Sequence, residues 1–93
     1  MLEWRSAINV LIVDDEYLVV EEVVTVTDWE LLGITEIYSA TNAVSAVRIL
    51  NEKKIDIMIC DIEMPQTDGL ELSKKAKENF PDLEIVMLTS HAE

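Results

Sequence analysis

The chain has 93 residues, 49% of them hydrophobic, with one cysteine, which suits one small globular domain, is too apolar for a disordered chain, and rules out an intramolecular disulfide. Nineteen acids against seven bases give a formal net charge of −12, so this segment is not expected to grip nucleic acid or an anionic membrane. The N-terminus lacks a signal-peptide pattern and no apolar run is long enough to span a bilayer, which points to a soluble, cytoplasmic protein.

Residues 1–7 show no periodicity and read as a lead-in; residues 8–93 read as the domain. Residues 8–13 are nearly all apolar and β-branched, as in a strand covered on both faces, and the run stops at Asp14-Asp15-Glu16. Valine-rich residues 16–27 repeat with a spacing near four, which predicts a helix with acids in its first turn and Gly33 as a stop shortly after it. Trp29 reads as a packing residue at the end of that helix or as part of an interaction surface. A short second strand is expected around Ile37.

Asn42 caps a predicted helix whose apolar face is Ala43, Ala46, Val47 and Leu50. Residues 55–60 form a third apolar strand that ends at Asp61, with Cys60 as a small core residue. Residues 64–69 carry the loop chemistry of Pro and Asp-Gly. A third helix over about 70–79 follows, whose Lys74, Lys75 and Lys77 read as a solvated face, and Pro81 blocks its continuation. Residues 85–88 make a fourth strand, followed by Thr89. The alternation of strands and helices predicts an α/β fold, a parallel sheet with helices on both faces and ligands at the carboxyl ends of the strands.

If the first and third strands are neighbours, Asp14, Asp15 and Asp61 converge at one sheet edge. Like charges so close call for a cation, and Mg²⁺ suits carboxylate oxygens completed by water and phosphate. Asp61 could then act as a nucleophile toward phosphorus, with the Thr89 hydroxyl bonded to the transferred group.

The segments Leu11-Ile12-Val13-Asp14-Asp15-Glu16, Asp61-Ile62-Glu63-Met64-Pro65 with Asp68-Gly69, and Leu88-Thr89-Ser90 resemble the receiver domain of bacterial two-component response regulators. The likeness implies a flavodoxin-like (CheY-like) doubly wound sheet of order 2-1-3-4. It implies Asp61 as phosphoacceptor for a sensor histidine kinase and Thr89 as switch hydroxyl. Asp14, Asp15, Asp61 and the backbone carbonyl of Glu63 would hold Mg²⁺. Asp14-Asp15-Glu16-Tyr17-Leu18-Val19 and Asp28-Trp29-Glu30-Leu31-Leu32-Gly33 look like receivers fused to AraC-type DNA-binding domains, so that DNA would be reached, and transcription controlled, through another part of the parent protein. The family's fifth strand, with its phosphate-contacting lysine, and its fifth helix have no counterpart before Glu93. The expectation is a truncated receiver whose fourth strand is an open edge, prone to form a homodimer or strand-exchanged oligomer. A haloacid dehalogenase-like phosphatase is the alternative, with Asp61 as nucleophile and Glu63 at the spacing of its second acid.

Overall fold

Apolar side chains at both odd and even positions of β1 (Asn9–Val13) make it the centre of the fold. Successive strand residues point to opposite faces, so a strand apolar throughout must be covered on both sides. In the computed structural model, which describes residues 8–64 and 67–88, Leu11 and Val13 lie in one buried cluster and Val10 and Ile12 in another. The described elements after β1 are α1 (Tyr17–Val26), β2 (Glu36–Ala40), α2 (Ala43–Glu52), β3 (Ile57–Asp61), β4 (Glu63–Met64), β5 (Thr67–Asp68), α3 (Gly69–Asn79) and β6 (Glu84–Leu88). The main sheet is parallel, in the order β2-β1-β3-β6. It is the predicted 2-1-3-4 order, since β6 is the fourth long strand.

One face of the sheet packs against Ala46 and Leu50 of α2 and Leu72 and Ala76 of α3, over Leu11, Val13, Met58 and Cys60. The other carries α1, with Val20 against Val10 and Ile12. Trp29 is a packing residue there, partly buried against the same cluster and donating its indole N–H to the Val24 carbonyl at 3.0 Å.

Local chemistry moves several predicted boundaries. No acid occupies the first turn of α1. The Glu16 amide instead donates to Asp14 Oδ1 at 2.9 Å, which keeps Glu16 extended and starts the helix at Tyr17. Gly33 does not end α1, which stops at Val26. It closes a separate turn, at φ 82°, where its amide donates to the Glu30 carbonyl and Asp28 Oδ1 takes the Leu31 amide. Asn42 caps α2 as predicted, accepting from the Ser45 amide at 2.8 Å. Val47 is 44% exposed, however, and partly buried Ile49 takes its place against the core. Val47 instead lines a groove toward α3.

The third strand starts at Ile57, because Asp56 is tied to Asn9 by the Asp56 amide and by its carboxylate. Of the predicted loop, Pro65 and Gln66 lie outside the described residues, while the residues on either side are strand: β4 and β5 pair antiparallel, Glu63 opposite Asp68 and Met64 opposite Thr67. Lys77 is not merely solvated, for its ammonium donates to the Leu83 carbonyl at 2.6 Å.

Candidate functional site

The register of the central strands builds the site. Val13 pairs with Cys60 across β1 and β3, so the residues that follow them, Asp14 just past β1 and Asp61 at the end of β3, stand side by side. Parallel neighbours lie about 4.8 Å apart. Asp14 continues the ladder on its other side, its amide donating to the Ala40 carbonyl at 3.1 Å. Asp61, the last residue of β3, pairs with Leu88 of β6.

Asp15 completes the group. One carboxylate oxygen from each of Asp14, Asp15 and Asp61 lies within 4.8 Å of the others. Asp14 and Asp61 are buried, at 8% and 4% exposure, and Asp15 is half-buried. Both buried acids are oriented in the same way: Asp14 Oδ1 accepts the Glu16 amide at 2.9 Å and Asp61 Oδ1 accepts the Glu63 amide at 3.2 Å. An aspartate bonding the amide two residues ahead is an Asx turn, a geometry that holds the carboxylate without neutralising it.

Among the described residues no lysine or arginine pairs with any of the three; the ion pair there is Lys54–Asp56. Burial raises the Asp14 carboxyl above its ordinary value. The Glu16 amide works against that shift, and the charges of Asp61, Asp15 and Glu16 add to it. Crowded, partly desolvated carboxylates without a base are a donor set that a hard divalent cation fits, and oxygen-only chemistry of this kind favours Mg²⁺.

The structure thus brings together Asp14, Asp15 and Asp61 as the sequence predicted. Glu63 follows directly, its amide on Asp61 and its strand paired with β5. Thr89 lies outside the described residues. Two contributors went unnoticed in the sequence. The orienting amides of Glu16 and Glu63 were detectable, because an Asp at a strand end is a ready Asx-turn former. The second is Gly69, whose amide donates to the Ile62 carbonyl at 3.0 Å. An Asp-Gly pair signals a turn, but it does not reveal which backbone the glycine will touch. Cys60, fully buried behind the site, has its thiol pushed up by burial, as a core residue should.

The chain resembles known proteins in both sequence and fold. The family model described as "Response regulator receiver domain" matches residues 10–93. The uncharacterized transcriptional regulatory protein YhcZ of Bacillus subtilis is 33% identical over 89 residues, covering 91% of this chain and 39% of that protein. Response regulator UvrY of Escherichia coli is 34% identical over 86 residues, covering 92% of this chain and 39% of that protein. The crystal structure of a two component transcriptional regulator AraC from Clostridium phytofermentans matches with a TM-score of 0.85 at 26% identity, over 92% of this chain and 69% of that one. This chain therefore spans about two fifths of the length of these curated relatives. The phosphatase alternative gains no support from these matches, and among the described residues no helix is long and apolar enough to cross a membrane.

Proposed function

Because the chain belongs to the response regulator receiver domain family, we propose that Asp61 is its phosphoacceptor and that Asp14 and Asp15 help to hold a magnesium ion beside it. The observation that carries this reading is the convergence of three carboxylates, two of them buried, without a base among the described residues.

Asp61 Oδ1 is engaged by the Glu63 amide, which leaves Oδ2 as the attacking atom. The Oδ2–P bond forms as the bond from phosphorus to the donor atom breaks, and the donor leaves with the electron pair. With a histidine kinase as donor, the leaving atom is a ring nitrogen. Asp14, Asp15, Asp61 and the Glu63 carbonyl would hold the cation, which when bound would supply neutralisation of the charge on the phosphoryl oxygens. Asp14 and Asp15 would fix its position, and the Glu16 amide, donating to Asp14 Oδ1, holds Asp14 for that task. The Thr89 hydroxyl serves as the switch group that bonds the new phosphoryl oxygen.

In the parent protein the donor is a sensor histidine kinase, the place of action is the cytoplasm, and DNA is reached through an AraC-type domain elsewhere in the polypeptide. Residues 8–93 form the receiver unit behind a lead-in of residues 1–7. A second copy pairs along β6, whose Val86 and Leu88 are 46% and 43% exposed. A purely monomeric species in light scattering overturns that last point.

The test of the site is incubation with Mg²⁺ and acetyl phosphate, read by intact mass. Wild type should gain one acid-stable, base-labile phosphoryl group, and Asp61→Asn none. Equal gain by both variants would remove Asp61 from the role. No gain by wild type, together with no beryllofluoride binding, would end the phosphoacceptor reading for this chain.

A further inference from the structure

We propose that Gly69 is a positioning residue for Asp61, required because the first turn of α3 lies directly on the backbone of the phosphoacceptor. The inference rests on the reading of Asp61 given above.

Glycine is usually needed for a left-handed backbone, but Gly69 does not have one; among the described residues only Gly33 has a positive φ. The requirement at Gly69 is steric. A Cβ placed there would overlap the carbonyl oxygen of Asp61, and would sit 2.9 Å from the Ile62 oxygen and 3.0 Å from the Asp61 carbonyl carbon. All three are main-chain atoms, so none can swing aside as the tip of a side chain would.

The contact is clasped from several sides. The Gly69 amide donates to the Ile62 carbonyl at 3.0 Å. Below it the Cys60 thiol donates to the Asp61 carbonyl at 3.4 Å, with the Gly69 carbonyl 4.0 Å away. Beside it Glu63 pairs with Asp68, and Asp68 Oδ1 caps the helix by accepting the Leu70 amide at 2.9 Å. A side chain at position 69 must either lift α3 or shift the Asp61–Ile62 peptide. Either movement turns the Asp61 carboxylate away from Asp14 and Asp15, whose oxygens now lie within 4.8 Å of it. Ligand geometry is what a small, rigid cation such as Mg²⁺ discriminates most sharply.

Gly33 supplies the control. It needs glycine for its φ of 82°, and a Cβ there would meet nothing within 4 Å. Gly33→Ala therefore strains the backbone far from the acids, whereas Gly69→Ala introduces a good helix former that collides with the site.

The experiment is Mn²⁺ titration of the full chain, followed by water proton relaxation, with thermal unfolding of each variant in parallel. Gly69→Ala should bind Mn²⁺ about tenfold or more weakly, the scale seen when groups that orient metal ligands are lost. Gly33→Ala should melt lower and bind Mn²⁺ as wild type does. A folded Gly69→Ala with wild-type affinity overturns the proposal. If Gly69→Ala does not fold, Asp68→Ala loosens the same turn and should weaken binding. Asp68→Asn keeps the cap and should restore it, and Asp28→Ala removes a comparable cap at the other end of the sheet without effect. Wild-type affinity in Asp68→Ala, or equal weakening in Asp68→Asn, overturns the positioning role. If wild type itself binds no Mn²⁺, the metal site fails first and the role of Gly69 fails with it.

Discussion

The two ends of the sheet use the same residue type in opposite ways. At the amino end, Asp56 is built into the fold: its Oδ2 accepts the Asn9 amide at 2.8 Å, its Oδ1 faces the Lys54 ammonium at 3.4 Å, and its own amide and carbonyl bond Asn9 and Glu84. At the carboxyl end, Asp14 and Asp61 each use one oxygen on a nearby amide and face further acid. The distribution of bases sets this contrast. No lysine or arginine occurs between Arg5 and Arg48, and the bonded lysines Lys54 and Lys77 serve the amino end, at Asp56 and Leu83. An acid whose partners are supplied within the fold stabilises it; acids brought together without a base create demand for a ligand.

The largest expected effect comes from supplying that ligand. Mg²⁺ at a hundredfold above its dissociation constant should add about 2.7 kcal/mol to the unfolding free energy, measured by thermal melts with and without EDTA. Asp14→Asn or Asp15→Asn should lose most of that gain. Next is the amino end. Asp56→Ala leaves the Asn9 amide without its acceptor and should cost about 1–3 kcal/mol in urea unfolding, while Mn²⁺ affinity stays as in wild type. A loss of metal affinity in that variant would break the division between the two ends.

A smaller effect, of opposite sign, is expected for Asp14 in metal-free protein. Its carboxyl is raised in the folded chain from 3.8, so the stability contributed by its protonated form is complete below 3.8 and is lost as pH rises through the higher folded value. Asp14→Asn, neutral throughout, should therefore melt above wild type at pH 7 in EDTA. That gap should close as pH falls through and below 3.8; a gap constant with pH would exclude charge as its cause. The smallest effect belongs to Lys54→Ala. The Lys54 side chain is 83% exposed, and surface pairs of this kind contribute about 1 kcal/mol or less, to be checked by the same urea titration at low and high salt.

Much of this was readable in advance where the signal was local. Unbroken apolar runs marked the central strands, Asn42 marked the start of α2, and abrupt stops at Asp14 and Asp61 marked the candidate chemistry. The misreadings came where two local signals competed. The acids before α1 suited a first turn by charge, but Asp14 took the Glu16 amide instead and excluded them from it. Gly33 suited a helix stop, yet Asp28 and Trp29 open a separate turn that Gly33 closes. Val47 had the spacing of a core residue, but which side of a helix meets a sheet depends on the neighbouring helix as well as on period.

The sequence by itself determined which residues end the strands and that acids stand there, because hydrophobic patterning and turn chemistry act over a few neighbouring residues. Only the tertiary structure decided that Asp14 and Asp61 are register neighbours through the Val13–Cys60 pair, and that Gly69 rests on the Asp61 carbonyl. Strand order and close backbone approach join segments far apart in the chain. Parallel pairing uses main-chain groups that every residue carries, so no local pattern specifies which strands meet.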